Sequence, residues 1–240
     1  MERAQVRVSV STSQPATPPP ATPERRDVVA RLATHVLAAG PGRLRVALDG
    51  RTAAGKSTLG HELAEHVAAA GRPVLRASLD DYKRPWAERH LYDRASGDGF
   101  YRNAFDHDQI RALLLDPAGP DGSGDVVLCA LDAFAQVDRR DVVDHLPDDG
   151  VLLVDGVFAL RPELVDGWDV RIRVEVPPEV ALERGIRRDD PTWSGADPWE
   201  LHHDRYAAAE EVYLREVDPV RLADLVLDNT DPRTPRLLHP

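Results

Sequence analysis

Two hydrophobic patterns alternate along most of the chain. Short runs of apolar residues predict buried strands, and apolar residues that recur every three or four positions predict amphipathic helices. The predicted strands cover 44–48, 74–79, 126–131, 151–154, 170–176 and 223–227. The predicted helices cover 24–39, 58–70, 106–115, 178–188 and 198–217. Strands that alternate with helices in this way indicate an α/β fold, a parallel sheet flanked by helices on both faces.

Segments outside this pattern set the predicted domain limits. Residues 1–23 are rich in proline, serine and threonine. They are expected to form a disordered leader, because they cannot bury enough apolar surface to offset the entropy lost on ordering. One domain then covers 24–232, followed by a tail at 233–240. Within the domain we expect an insertion at about 84–147, which begins with a long irregular loop, and a helical lid at about 184–200.

The loop after the first predicted strand of the domain has a specific pattern. Residues 50–57 fit G-x-x-x-x-G-K-S, the phosphate-binding (P-loop) pattern, in the strand–loop–helix setting that it requires. Glycines let backbone N–H groups turn inward around a phosphate, and the helix N-terminus adds partial positive charge. We therefore expect ATP or GTP to bind here. The predicted binding residues are Gly50, Arg51, Thr52, Ala53, Ala54, Gly55, Lys56, Ser57 and Thr58.

Two side chains of this loop carry predicted chemistry. Lys56 would contact the β- and γ-phosphates, and the hydroxyl of Ser57 would be a ligand of Mg²⁺. The alternative is a glycine turn with a solvent-exposed lysine. Of the 30 lysines and arginines in the chain, only Lys56 and Lys83 are lysines. A lysine at this position therefore suggests that a compact ammonium is required.

Three aspartates directly follow predicted strands: Asp49, Asp80 and Asp155. Because the carboxyl ends of parallel strands meet at one edge of a sheet, these side chains are expected near the P-loop. Asp155 follows a fully apolar strand, as does the acid that organises Mg²⁺ in P-loop enzymes. Asp80 could accept the proton of a hydroxyl that attacks the γ-phosphorus. The alternatives are capping or turn carboxylates, and Asp81 competes with Asp80 for the role.

Arginines cluster near the end of the helix predicted at 178–188. Arg184, Arg187 and Arg188 precede a loop rich in Asp, Pro, Ser and Gly. Arginines delivered by a closing lid stabilise the charge on a transferred phosphoryl group, and one of them can raise the rate by about a thousandfold or more. The alternative is a solvated basic face that pairs with acids of the same helix.

Composition limits the classes of partner. The net charge of −11 argues against a nucleic-acid partner, whose binding depends on neutralising phosphates. The single cysteine, Cys129, rules out an internal disulfide and fits a reducing compartment, so we expect a cytoplasmic location. No apolar stretch reaches membrane-spanning length. The expected partner is a small molecule, and the sequence carries no signal for the oligomeric state.

The motifs, and the order in which they follow one another along the chain, resemble those of the uridine kinase family of P-loop nucleoside kinases. Phosphoribulokinase and bacterial pantothenate kinase are more distant relatives of that family. The resemblance covers about residues 43–231. It is carried by GRTAAGKST at 50–58, DDY at 80–82, AFDHDQI at 104–110, LLVDGVFAL at 152–160, the arginine helix, and RYAAAEEVYLREVDP with ADLVLDN near the end.

This resemblance implies a P-loop NTPase fold with a helical lid and a small acceptor-binding insertion. It implies transfer of the γ-phosphate of ATP or GTP, with Mg²⁺, to the 5′-hydroxyl of a nucleoside such as uridine or cytidine. Asp80 would be the base, and Asp106 would bind the ribose hydroxyls. The implied catalytic residues are Asp80, Lys56, Arg184, Arg187 and Arg188. The implied acceptor-binding residues are Asp80, Tyr82, Lys83, Asp106 and His107, and the implied metal ligands are Ser57 and Asp155.

The chain departs from the family pattern at three places. Asp155 stands where uridine kinases usually have glutamate, and Lys83 replaces an expected aromatic residue. The segment after Val126, which in the family supplies an aromatic residue and a histidine around the pyrimidine, reads Ala-Leu-Asp-Ala-Phe at 130–134. Two alternatives to a nucleoside kinase therefore stay open. One is a kinase for another hydroxyl compound, such as pantothenate, a sugar or a natural product. The other is a nucleotide-dependent regulator that hydrolyses ATP slowly.

Overall fold

The structure is a computed structural model that describes residues 6–8, 22–89, 93, 95–133, 135–189 and 197–238. Its strands are β1 (Val6–Val8), β2 (Leu44–Gly50), β3 (Val74–Ser78), β4 (Asp125–Val126), β5 (Leu131–Asp132), β6 (Val137–Asp138), β7 (Asp144–His145), β8 (Val151–Gly156), β9 (Val170–Glu175), β10 (Leu225–Asp228) and β11 (Arg236–Leu238). Seven of them form the central sheet, in the spatial order β1–β3–β8–β2–β9–β10–β11. Neighbouring strands of this sheet are parallel except β11, which runs antiparallel to β10. The short strands pair outside it, β4 with β7 and β5 with β6.

Helices cover both faces of this sheet. They are α1 (Pro23–Ala38), α2 (Lys56–Ala69), α3 (Gly97–Asn103), α4 (His107–Ile110), α5 (Pro178–Arg188), α6 (Pro198–Glu200), α7 (Ala208–Glu216) and α8 (Pro219–Leu222). π-helical segments extend α4 through Arg111–Leu115 and join α6 to α7 through Leu201–Ala207. Among the residues described, no helix is both long enough and apolar enough to cross a bilayer.

The sheet separates two hydrophobic clusters. Side chains alternate between the faces of β2, so that Val46 and Leu48 belong to one cluster and Ala47 to the other. The first cluster packs α1 and α2 against the sheet through Leu32 and Leu63, which are fully buried. The second contains an aromatic group from α3, from the residues between α3 and α4, from the segment after β8, and from α7. Its members are Phe100, Tyr101, Phe105, Phe158 and Tyr213. The insertion therefore packs on one face of the sheet.

The α/β fold with a mostly parallel sheet is confirmed, and α1, α5 and the helical run from Pro198 to Glu216 begin and end close to their predicted limits. Local sequence explains these limits. Thr22 caps α1 by accepting a hydrogen bond from the Arg25 N–H at 3.2 Å. Pro178 occupies the first turn of α5, where its missing N–H costs no helical hydrogen bond.

Four predictions about local structure need correction. Residues 126–131 were expected to form one strand, but they form only the ends of β4 and β5, because their apolar side chains fill the second cluster without pairing to the sheet. The loop expected at 84–103 contains α3, whose N-cap is Ser96. Within the leader expected to be disordered, Val6–Val8 pairs in register with β3, while residues 1–5 and 9–21 lie outside the described residues. The tail expected after 232 adds β11.

Candidate active site

The loop between β2 and α2 can exist only with its two glycines. Gly55, which precedes the first turn of α2, has φ +93°, a left-handed conformation that other residues rarely adopt. A Cβ at Gly55 would lie 2.6 Å from the Asn229 Nδ2, and a Cβ at Gly50 would lie 2.4 Å from the Val174 carbonyl oxygen. The second clash is with the backbone of the neighbouring strand. The loop therefore packs closely against β9 and Asn229, next to the N-terminus of α2, whose first N–H groups have no partner within the helix.

Lys56 lies inside this loop rather than in solvent. The side chain is buried, and its Nζ donates to the carbonyl oxygens of Gly50 at 2.9 Å and Arg51 at 2.8 Å. Burial lowers the pKa of Lys56, while nearby carboxylates, Asp155 foremost, oppose the shift. The alternative of an exposed lysine on a glycine turn is thus excluded. An ammonium at the N-terminus of a helix, where the first backbone N–H groups lack helical partners, is suited to a polyphosphate.

Ser57 and Asp155 meet at the carboxyl end of the sheet. The Ser57 Oγ donates to the Asp155 Oδ2 at 2.6 Å. The other carboxylate oxygen, Oδ1, accepts from the Arg76 Nη2 at 2.8 Å, and both side chains of this ion pair are buried. Arg76 also donates to the Ser57 carbonyl at 3.2 Å. Arg76 was not predicted as a site residue, although a single arginine within the apolar strand 74–78 was a visible signal.

The hydroxyl of Ser57 and the carboxylate of Asp155 fit a magnesium ion. Both are hard oxygen donors, and Mg²⁺ in nucleotide sites takes one or two protein ligands and completes its shell with water and phosphate oxygens. A richer metal centre is not present, because the described part of the chain has no group of three or more His, Cys, Asp or Glu side chains that could hold a metal ion. Mg²⁺ bound here would neutralise phosphate charge.

Asp80 follows β3 at the same edge of the sheet. Its side chain is 56% exposed, and the Lys83 Nζ lies 2.8 Å from its Oδ1. Crowding by protein atoms desolvates the carboxyl and would raise its pKa, but the charges of Lys83, Lys56 and Arg188 outweigh this effect and lower the pKa of Asp80. Asp80 is therefore ionised at neutral pH, and three cations act on it: Lys83 near it in the chain, Lys56 from α2 and Arg188 from α5.

Three residues implied to bind the acceptor occupy different settings. Tyr82 is 1% exposed and donates to the Val127 carbonyl oxygen, so it lies in the core and does not present its hydroxyl to an acceptor. Asp106 caps α4 by accepting from the Gln109 N–H at 3.1 Å, and it pairs with the Arg84 Nη1 at 2.9 Å. Burial and nearby arginines lower the pKa of His107 to about 4, so its imidazole is neutral at pH 7.

The three predicted lid arginines point to different partners. Arg184 donates to the Asn229 carbonyl at 3.2 Å and the Thr230 carbonyl at 2.8 Å, so it fastens the loop after β10. Arg187 is exposed and pairs with Glu183 of the same helix at 3.2 Å. This arrangement corresponds to the alternative of a solvated basic face. Arg188 is the one whose charge acts on Asp80. Residues 190–196 of the expected lid lie outside the described residues.

The segments that flank the expected lid lie near the P-loop. His202 Nε2 lies 2.7 Å from Asp189 Oδ2, and Asp189 also accepts from the Arg188 Nε at 2.7 Å. A cavity between the P-loop, α5 and the following π-helical segment is lined by residues from all three, among them Arg51, Thr52, Leu182, His202 and Tyr206. The start of α5 and the π-helical segment after the expected lid therefore border the space next to the P-loop.

Asn229 supports the P-loop from outside. Its Nδ2 donates to the Ala54 carbonyl at 2.7 Å, and its Oδ1 accepts from the Arg25 Nη1 at 3.3 Å. Arg25 is held in turn by Glu62 at 2.6 Å. The sequence signal for Asn229 was its position two residues after the last predicted strand, within the matched segment ADLVLDN.

Asp49, although it precedes the P-loop, does not reach the site. It is fully buried, accepts from the Arg173 Nη1 at 2.6 Å and from the Ala159 N–H at 2.9 Å. Arg173 also binds Glu210 at 2.6 Å. This enclosed network joins β2, β9 and α7 and fixes the strand that carries the P-loop.

The fold is a P-loop α/β fold. No protein-family model matches the chain, and no match appears among curated proteins. Among solved structures, the chain is similar to a possible uridine kinase from Bacillus stearothermophilus, with 23% identity and a TM-score of 0.64 over 84% of this chain and 97% of the other. It is also similar to a candidate fructose transport system kinase from Silicibacter sp. TM1040, with 23% identity and a TM-score of 0.63 over 78% and 94%. At this identity, the likeness establishes the fold.

Proposed function

We propose that this protein is a kinase that transfers the γ-phosphate of ATP or GTP, with Mg²⁺, to a hydroxyl of a small molecule. The observation that carries the proposal is that Lys56 lies within the P-loop, while Asp155 and Asp80 follow the neighbouring parallel strands β8 and β3 at the same edge of the sheet. A phosphate cradle and an ionised carboxylate that can accept a hydroxyl proton thus share the same space. The kinase names of both structural neighbours agree with this class.

Each residue has a proposed role. The P-loop amides and Lys56 bind and orient the phosphates, and Ser57 and Asp155 hold Mg²⁺, which supplies charge neutralisation when bound. Asp80 aligns the acceptor hydroxyl and takes its proton. Arg188, at the end of α5, is the lid arginine best placed to stabilise charge on the transferred group, because its charge already acts on Asp80.

For the acceptor, we propose the 5′-hydroxyl of a nucleoside such as uridine or cytidine. A second candidate, another hydroxyl compound such as a sugar, is favoured by one observation. Lys83 places an ammonium beside Asp80, where the uridine kinase pattern has an aromatic residue. The similarity to a candidate fructose transport system kinase points the same way.

A panel of acceptors tests the proposal. Purified protein with Mg-ATP or Mg-GTP is incubated with nucleosides, sugars and pantothenate, and ADP or GDP formation and phosphorylated products are measured. Acceptor-dependent release and a phosphorylated product are expected for one class. Slow hydrolysis that no acceptor stimulates would contradict the kinase and favour a regulatory ATPase.

The Asp80→Asn variant separates binding from transfer. It should lose phosphoryl transfer by a factor of about 100 or more, because the carboxylate that receives the proton is gone. Nucleotide affinity should stay near that of the wild type, since the P-loop is unchanged. Undiminished kcat in this variant would remove Asp80 from the mechanism.

A further inference from the structure

Lys83 is fixed in place by both its backbone and its side chain. Its backbone pairs with Phe105 in an isolated antiparallel bridge, and the next residue, Arg84, donates its N–H to the Ala104 carbonyl at 2.9 Å. The side chain is only 18% exposed. Its Nζ lies 5.9 Å from the centroid of the Phe100 ring and 5.7 Å from that of Phe105.

This setting makes the ion pair between Lys83 and Asp80 unlike an ordinary surface pair. An exposed pair is worth little, because water screens it and two flexible side chains must be ordered. Here the ammonium lies against two aromatic rings, whose faces attract a cation, and is ordered by their packing. Its contact with the Asp80 Oδ1 at 2.8 Å therefore orients the carboxylate.

We propose that Lys83 is a positioning residue for phosphoryl transfer: it binds one oxygen of Asp80 and leaves the other, Oδ2, to accept the hydroxyl of the acceptor. This inference rests on the proposed kinase function. In the transfer step, the acceptor oxygen bonds to the γ-phosphorus as the bond to the β–γ bridging oxygen breaks. The nucleoside diphosphate leaves with the electron pair, and the hydroxyl proton passes to Asp80 Oδ2.

Two other cations face Asp80 and have different roles. Lys56 approaches from α2 and Arg188 from α5, and both lower the pKa of Asp80 through their charge alone. Lys56 is bound to P-loop carbonyls, and Arg188 to Asp189. Of the three, Lys83 is the one that also hydrogen-bonds to the Asp80 carboxylate. Removal of Lys83 should therefore free the carboxylate to rotate, while both phosphate-side cations remain.

Variants at Lys83 test this inference through kinetics. Lys83→Met keeps the stem against the phenylalanine rings and removes the charge. Its kcat should fall about 10- to 100-fold with a smaller change in nucleotide KM, as for a misaligned reacting group. The acid limb of the pH–rate profile should move to higher pH, because the cation no longer lowers the pKa of Asp80. Lys83→Arg should restore most of the rate. Arg102→Met, which removes a cation paired with Asp98 and Glu216, is the matched control and should change neither quantity.

A second measurement does not require a known acceptor. Carboxyl carbons of ¹³C-labelled aspartate are titrated by NMR, with the Asp80 signal assigned from Asp80→Asn. Its midpoint should lie at higher pH in Lys83→Met than in the wild type. An unchanged midpoint, or an unchanged kcat and acid limb, overturns the inference even if the protein is a kinase. A shifted midpoint in a protein that phosphorylates no acceptor instead rejects the proposed function and leaves the pairing intact.

Discussion

Arg173 is the residue whose removal should damage this molecule most. It lies on β9 beside the P-loop strand and has no exposed surface. It contacts Asp49, Glu210 and Glu175 at 2.6 Å each, and Asp49 and Glu210 are themselves buried. Replacing Arg173 with methionine keeps an apolar stem of similar length and leaves two enclosed carboxylates without their counter-charge.

The expected loss follows from the cost of an uncompensated buried charge. Removing one partner of a buried ion pair costs about 3–5 kcal/mol. The free energy of unfolding of a domain is about 5–15 kcal/mol in total, so this single change removes a large share. With a urea m-value of about 2.5 kcal/mol/M, the midpoint of unfolding should fall by about 1–2 M.

Equilibrium urea unfolding, followed by circular dichroism, measures this loss directly. Arg102→Met is the control, because it breaks exposed ion pairs and should leave the midpoint nearly unchanged. Adding Asp49→Asn and Glu210→Gln to Arg173→Met should recover part of the loss, since the only carboxylate left without Arg173 is then the partly exposed Glu175. A loss below about 1 kcal/mol in Arg173→Met would refute the enclosed charge network.

Three further variants test other parts of the structure. Asn229→Ala should weaken Mg-ATP binding severalfold in calorimetry, because the P-loop loses its outer hydrogen bond. Tyr82→Phe should cost about 1–2 kcal/mol in urea unfolding, since it leaves the buried Val127 carbonyl unpaired, and should not alter the KM of an acceptor. Burial alone would raise the pKa of Asp189. Hydrogen bonds from His202 and Arg188 outweigh this effect and lower the pKa to about 2. Asp189→Asn should therefore lose on the order of 2 kcal/mol at pH 7, and thermal unfolding should show this deficit shrinking as the pH falls from about 4 towards 2.

Features set by local chemistry could be predicted from the sequence. Predicting the P-loop required only a strand, two glycines, a lysine and a helix start in that order along the chain. Gly55 has the left-handed backbone conformation that makes glycine necessary there. The helix at Pro178–Arg188 was predicted with its exact limits, because its apolar period and its initial proline agree. The meeting of Ser57 with Asp155 followed from the rule that parallel strands end at one edge.

Features set by distant partners could not be predicted. Tyr82 sits beside a polar strand end in sequence, but its burial depends on Val127, which lies 45 residues later. Asp49 looks like a site carboxylate until Arg173, 124 residues away, is placed against it. The apolar segment 126–131 fits a strand by composition alone, because burial against a cluster and burial within a sheet leave the same hydrophobic pattern.

The most direct test of the central claim is calorimetric titration of Mg-ATP and Mg-GTP into the wild type and Lys56→Ala. A saturable heat is expected for at least one nucleotide, with a Kd below about 1 mM, in the range of typical enzyme substrates. Lys56→Ala should bind at least about tenfold more weakly, because it loses one charge-assisted phosphate contact. Such a contact contributes about 1.5 kcal/mol or more to binding. Absence of saturable heat in the wild type, or equal affinity in the two proteins, would contradict a P-loop that binds nucleotide phosphates through Lys56.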